Sequence, residues 1–166
     1  MKNLFSIKTL TTACLAFVLA FSFASCETDN CKDIECTAGG DLSDNGTTCT
    51  CVCKTGYSGS TCSTLVRASF IGNYNGTETC GTDTDTYAVK LTAGTTDVDV
   101  QFENIYDAGF FVNGTVNSQG GITIPSQSFG TGTISGNATV TANSLSITFT
   151  VSGGGNSATC TFVGSK

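Results

Sequence analysis

Paired carboxylates are the side chains in this sequence whose spacing could support acid–base catalysis. They occur as Asp83 with Asp85, Asp97 with Asp99, and Glu103 with Asp107. Two carboxyls that face each other across a cleft can hydrolyse a glycosidic bond. However, Asp97 and Asp99 alternate with apolar Val98 and Val100, which is typical of the solvated face of a strand. Because the chain also has no His for a Ser–His or Cys–His mechanism, we predict that it is not an enzyme.

Cysteine is the other reactive residue type, and the chain has 10 of them. Cys14 lies within an apolar N-terminal run, Cys26 just after it, and Cys80 and Cys160 in the C-terminal half. The others crowd together as Cys31, Cys36, Cys49, Cys51, Cys53 and Cys62. From Cys31 onward, the even number of cysteines predicts that all of them form disulfides in an exported chain. The number becomes odd if Cys26 is also a disulfide partner.

A zinc site is the alternative use of the crowded cysteines. Cys31-x4-Cys36 and Cys49-x-Cys51-x-Cys53 bring several thiols close in sequence. Structural zinc sites prefer two to four residues between paired ligands, and Cys-x-Cys-x-Cys departs from that spacing. Export also favours oxidation. We therefore predict disulfides, no metal and no cofactor, since phosphate-binding loops and metal-binding His pairs are also absent from the sequence.

Residues 1–25 are predicted to be a signal peptide. Lys2 and Lys8 give a basic start, and an apolar run continues from Leu10 to Phe23. This run is shorter than the roughly 20 residues that a membrane-spanning helix needs. Removal of this segment takes away both lysines and no acidic residue, which shifts the net charge from −6 to −8. Such a surface repels nucleic acid and anionic headgroups, so membrane attachment must be covalent or through a partner.

Phe23-Ala-Ser-Cys26 resembles the lipobox of bacterial lipoproteins, although the family favours Leu at the position of Phe23. The resemblance implies cleavage before Cys26, diacylglycerol on its sulfur, N-acylation with a chain such as palmitate, and anchorage in the cell outer membrane. Residues 26–30 then form a lipidated tether. Its acidic Glu27-Thr-Asp-Asn30 resembles the surface-export signals of Bacteroidota-type lipoproteins, and a solvated spacer explains it equally well. Ordinary secretion is the alternative to lipidation.

Residues 31–62 resemble an EGF-like module through Cys51-x-Cys53-x-x-Gly56-Tyr57-x-Gly59-x-x-Cys62. Gly56 and Gly59 permit tight turns, and Tyr57 is the one large apolar face to bury. A module this small depends on disulfides for stability. The resemblance implies the pairs Cys31–Cys49, Cys36–Cys51 and Cys53–Cys62, and such modules usually serve as spacers or contact surfaces.

The first half of the module is irregular. Cys49 lies only two positions before Cys51, and Gly39-Gly-Asp-Leu42 stands where a cysteine is expected. The first two disulfide pairs could therefore be exchanged. Asp29-Asn30 and Asp33-Ile-Glu35 resemble incompletely the acidic cluster of calcium-binding EGF modules, and we interpret them as solvated turns.

Residues 63–68 are predicted to link this module to an antiparallel β-domain at 69–166. Apolar and polar residues alternate there with period two between Gly-rich turns. We predict eight strands, near 70–79, 85–92, 97–104, 110–117, 121–128, 132–141, 144–152 and 157–164. Short links favour a meander that closes into a barrel or sandwich, stapled by a Cys80–Cys160 disulfide between its first and last strands. Pro125 indicates an edge or a bulge.

The predicted inward side chains are numerous enough to fill a small barrel. They are Phe70, Tyr74, Tyr87, Val89, Leu91, Val98, Val100, Phe102, Ile105, Val112, Val116, Ile122, Ile124, Phe129, Val140, Leu145, Ile147, Phe149, Val151 and Phe162. We therefore expect a packed core. Four sequons, at Asn45, Asn75, Asn113 and Asn137, are interpreted as turns.

Three segments of the β-domain, Phe70-x-Gly-x-Tyr74, Gly121-Ile-Thr-Ile-Pro-Ser-Gln127 and Ile134-Ser-Gly136, resemble a recurrent domain of Bacteroidota-type lipoproteins. The resemblance implies a place in the envelope and no particular activity. We expect a lipid-anchored, non-enzymatic envelope protein. Its EGF-like spacer would present the β-domain to an unknown envelope or extracellular protein or glycan. The alternative is a lipocalin-like carrier of a small apolar ligand.

Overall fold

A computed structural model describes residues 31–117 and 119–166. The predicted signal peptide, the lipidation site Cys26 and the tether to residue 30 lie outside the described residues. Among the described residues, no helix is long and apolar enough to cross a membrane.

The N-terminal module consists of two small antiparallel sheets. Strand β1 (Gly40–Asp44) pairs with β2 (Cys49–Cys53), and the short β3 (Tyr57–Ser58) pairs with β4 (Thr64–Leu65). The Tyr57 ring lies where a Cβ of Gly39 would be, and Cys62 lies where a Cβ of Gly40 would be, so the two glycines make room for the ring and for the disulfide. Tyr57 is half-buried, in agreement with its predicted role as the apolar face of the module.

Three disulfides cross-link the module. They join Cys31 to Cys49, Cys36 to Cys51, and Cys53 to Cys62, which are the pairs that the EGF-like resemblance implies. Strands β1 and β2 together expose most of their side chains, so the module has little buried core. The disulfides therefore supply the stability that a core gives to a larger domain.

The predicted link at 63–68 has structure of its own. Its first part is β4, and a 3-10 turn (Val66–Ser69) follows and leads directly into the C-terminal domain. The N–H of Val66 donates to the carbonyl of Gly56 at 2.9 Å. The module and the β-domain are therefore joined by a hydrogen-bonded connection.

The C-terminal domain is a closed antiparallel barrel of eight strands, as the alternation predicts. The strands are β5 (Gly72–Cys80), β6 (Asp83–Ala93), β7 (Asp99–Glu103), β8 (Phe111–Val116), β9 (Ile122–Phe129), β10 (Gly132–Thr141), β11 (Ser144–Gly153) and β12 (Asn156–Ser165). Each pairs with the next, and β12 returns to pair with β5. Closure leaves no end strand in the sheet, and the Cys80–Cys160 disulfide joins directly opposed residues of β5 and β12.

The wall of the barrel is thinnest between β8 and β9. Backbone register joins these strands at only two residue pairs, Thr115 with Thr123 and Val116 with Ile122. Beyond them, the carboxamide of Gln127 substitutes for a strand: it accepts from the N–H of Asn113 at 2.9 Å and donates to its carbonyl at 2.7 Å. The register shift between β9 and β10 falls at Pro125, which confirms the predicted bulge.

The inward side chains form one packed cluster. All predicted core residues belong to it, with Tyr87, Val98, Val140 and Val151 only partly buried. The structure adds Ile134 and Ala138 to the apolar set, and Glu78 as a buried charged residue. The interior is thus occupied by the chain's own side chains, as expected for a barrel of this size.

The prediction that the Asn sequons mark turns is wrong for three of the four. Asn45 does brace the β1–β2 turn, but Asn75, Asn113 and Asn137 lie within strands. A Cβ on Gly76 would overlap β12, and one on Gly114 would overlap side chains of the core. The glycines after Asn75 and Asn113 therefore serve close packing rather than chain reversal.

The aromatic groove at the far end of the barrel

The barrel has two distinct ends. The near end carries the module, the β6–β7 loop at 94–98, the connection between β8 and β9, and the β10–β11 turn at 142–143. The far end carries the other hairpin turns, at 81–82, 130–131 and 154–155, and the β7–β8 loop at 104–110. Strands run between the two ends, so a group at the far end is separated from the module by the length of the barrel.

The near end is held to the module by polar groups. The Arg67 guanidinium donates to the carbonyls of Gly94 and Asp99, at 3.2 and 3.1 Å, and also to that of Thr96. It lies 3.5 Å from the Asp97 carboxylate. The Tyr57 hydroxyl also donates to Asp97, and this hydrogen bond raises the pKa of Tyr57.

Among the described residues, each member of the predicted acidic pairs has a separate partner or is exposed to solvent. Asp97 binds the module, and Asp99 accepts from the N–H of Thr96 at 3.0 Å. Glu103 forms an ion pair with Lys90 at 3.1 Å, and Asp107 accepts from the Asn104 amide. The remaining pair, Asp83 and Asp85, is exposed on β6, as are Asp33 and Glu35 in the module. These carboxylates have structural or solvated positions.

A hollow of about 590 Å³ lies on the outer wall near Pro125. Three of its polar side chains bond within the barrel wall: Gln101 donates to Asn113 at 3.1 Å, and Asp99 accepts from the N–H of Thr96.

The far end presents an aromatic groove of about 470 Å³. One side consists of Tyr106, Phe110 and Phe129, and the other consists of residues 151–153 and 156–158 around the β11–β12 turn. Tyr106 and Phe110 are 41% and 47% exposed, so both rings present apolar surface to solvent at the groove. The groove has the size of a small-ligand site, and no charged residue lines it.

Ring contacts fix the aromatic side of the groove. Phe110 meets Phe129 edge-on at 5.3 Å between ring centroids. Tyr106 contacts both Phe129 and the core residue Phe149, each at 6.3 Å and also edge-on. The exposed rings are therefore extensions of the barrel core, which restricts their motion.

The loop that carries Tyr106 has an unusual backbone. Asn104, Tyr106 and Asp107 have φ values of 70°, 62° and 44°, a left-handed conformation that costs residues other than glycine about 1–3 kcal/mol each. Asn104 supports the loop, because its amide donates to Ala88 at 3.1 Å and accepts from Gly109 at 3.0 Å. Ile105 is fully buried beneath it. The surrounding structure thus imposes the strained conformation that places the Tyr106 ring at the groove.

A buried carboxyl supports the same loop from below. Glu78 is only 3% exposed, and its carboxyl accepts from the Tyr87 hydroxyl. The hydroxyl in turn accepts from the N–H of Tyr106 at 2.9 Å. Burial raises the pKa of Glu78, and it also raises the pKa of Tyr87, where the bond to Glu78 adds to the effect. Hydrogen bonds through Glu78 and Tyr87 therefore link the core to the backbone of Tyr106 at the groove.

The other oxygen of Glu78 lies 3.2 Å from the Cys80 sulfur. Glu78, Cys80 and Cys160 are close enough to share a metal ion, and within the described ranges they are the one such group of three. Both sulfurs are already bonded to each other in the disulfide, so the group has no thiolate to offer.

The sequence contained a signal for Glu78 that the prediction missed. Counting in twos from inward Tyr74 along β5 leads through Gly76 to Glu78 and Cys80, all on the same face. Tyr106 and Phe110 had no such signal, because they lie in a loop whose left-handed backbone follows no period. Comparison with known proteins adds no further assignment: the chain matches no family model, no curated protein and no solved structure.

Proposed function

We propose that this protein is a lipid-anchored, non-enzymatic protein of the bacterial cell envelope that binds a partner through the aromatic groove. The lipid is attached at Cys26, and the EGF-like module is a rigid spacer. One observation carries the proposal: the module and the groove occupy opposite ends of the barrel. A groove in this position faces away from the attached membrane.

The contacts of the carboxylates support a role without catalysis, because Asp97, Asp99 and Glu103 each have a partner within the chain. The closed barrel is also compatible with a carrier of a small apolar ligand. The inward side chains, however, pack against one another through the interior. A contact at the outer groove therefore agrees better with the structure than a ligand inside the barrel.

Site-specific photo-crosslinking on intact cells tests the proposal. A photoreactive residue replaces exposed Thr131 at the groove, or exposed Thr141 near the turn at the opposite end of β10. We expect a discrete adduct from position 131 and none from position 141. The same adduct from both positions, or an adduct from 141 alone, would show that the groove is not the contact surface.

The anchor needs a separate measurement. Cys26→Ser removes the proposed lipid attachment point, so the protein should move from the membrane fraction to the soluble fraction. Cys14→Ser is the matched control, because Cys14 lies within the signal peptide and its substitution should leave the mature protein in the membrane. Retention of the Cys26→Ser protein on membranes would contradict the anchor.

A further inference from the structure

We propose that the aromatic groove binds a neutral saccharide, an inference that rests on the proposed function and names its ligand class. The walls of the groove differ in chemistry. Tyr106 and Phe110 form an aromatic side, and the opposite side carries the Asn156 amide and the hydroxyls of Ser152 and Ser157. The two hydroxyls bond to each other at 2.9 Å, which leaves one O–H donor and further acceptor sites for a ligand. A ligand that fits both sides must have an apolar face and a polar rim.

A sugar ring has this combination. Its axial C–H groups form a weakly positive face, which is attracted to the negative face of an aromatic ring. Its hydroxyls project around the edge and need hydrogen-bond partners when they leave water. Asn156 and Ser157 are exposed at the groove and carry donors and acceptors suited to them.

Charge selects among the ligands of this shape. The groove has no cationic side chain to bind a phosphate, sulfate or carboxylate, and the acidic chain as a whole repels anions. It has no carboxylate in its wall to bind an ammonium group either. A neutral sugar therefore complements the groove better than a charged glycan or a nucleotide.

The strained loop at 104–110 gives a reason for the exposed tyrosine. Tyr106 is fixed by ring contacts and by the Tyr87 hydroxyl before any ligand binds. A prearranged ring loses little conformational freedom on binding, which favours affinity for a weakly attracting ligand. Tyr87 is therefore a positioning residue, since it acts on the groove through Tyr106.

Adjacent phenylalanines provide a matched pair for the test. Phe110 lines the groove, whereas neighbouring Phe111 is 58% exposed and is not part of its wall. The full chain carrying Cys26→Ser is titrated calorimetrically with cellohexaose, maltohexaose and chitohexaose. We expect saturable binding of at least one probe, weakened about tenfold by Phe110→Ala and unchanged by Phe111→Ala.

Three results would overturn the saccharide assignment. One is no saturable binding by any of the three probes, and another is an equal loss of affinity in Phe110→Ala and Phe111→Ala. The third is displacement of the bound sugar by laurate, which would show an apolar site. If any one of these results is found while crosslinking still maps to position 131 and not 141, the ligand class is wrong and the contact function stands.

Discussion

At the near end of the barrel, an arginine and an aspartate hold the module through directed polar contacts. At the far end, uncharged aromatic rings are exposed on a strained loop. The first arrangement satisfies Arg67 with carbonyl and carboxylate partners. The second leaves Tyr106 and Phe110 about half exposed, with solvent as their remaining neighbour. An intramolecular interface and an exposed apolar surface can thus be distinguished by whether their polar and apolar groups have partners within the chain.

Among variants that test the two ends, removal of the far-end disulfide is expected to lower the free energy of unfolding the most. Cys80→Ala with Cys160→Ala opens a loop with a sequence separation of 80 residues. In the chain-entropy model, this lowers the free energy of unfolding by up to about 4.5 kcal/mol. Urea denaturation followed by circular dichroism measures the loss.

The module offers a matched control for that disulfide. Cys53→Ala with Cys62→Ala opens a loop with a separation of only 9 residues. We expect a loss of about 2.5 kcal/mol, confined to the module. Equal destabilisation of the barrel by both double variants would show that the far-end disulfide has no special role in closing it.

Loss of Arg67 should affect the near end of the barrel and leave the far end unchanged. Arg67→Ala removes a largely buried guanidinium and takes the donor from the Gly94 carbonyl, while the Asp99 carbonyl keeps only the N–H of Gly94. We expect the free energy of unfolding to fall by about 2–3 kcal/mol. Amide exchange should become faster in the 94–98 loop and stay unchanged at the groove. Lys90→Ala, which breaks an exposed ion pair on the wall, should cost less than about 1 kcal/mol. Similar exchange changes in both variants would contradict this role of Arg67.

The smallest expected effect is a pH dependence that arises at the far end. The folded state raises the pKa of Glu78, so it holds that proton more tightly than the unfolded chain. The stabilising effect is fully present below the unfolded pKa and is lost as the pH rises through the folded one. Stability of the wild type should therefore fall relative to Glu78→Gln over that window. Parallel pH profiles for the two proteins would show that Glu78 titrates normally.

The barrel was predictable because its chemistry repeats every two residues. The alternating Val98, Val100 and Phe102 predict a buried face. Pro125 predicts a break in strand pairing, and the structure has a bulge at that position. Closure into a barrel follows from β12 pairing with β5, which the positions of Cys80 and Cys160 already suggested. The alternation can be recognised within each short segment, and the cysteines can be counted and located directly. Both signals can therefore be read from a single sequence.

The groove and the module interface were not predictable in the same way. Tyr106 lies in a loop whose course depends on Asn104, on the buried Ile105 and on a hydroxyl from β6. Arg67 falls in a stretch that was predicted as a simple linker, and all but one of its partners are backbone carbonyls, which carry no sequence signal. Such sites depend on contacts between distant segments, which local periodicity does not encode.

The placement of module and groove at opposite ends has a mechanical consequence. A ligand that pulls on the groove while the module is held fixed would direct the load along the strands. Neighbouring strands such as β5 and β6 would then be sheared, with all nine of their register pairs sharing the force, instead of being peeled apart one pair at a time. The barrel is therefore oriented so that its strand pairs resist a pulling force between its two ends.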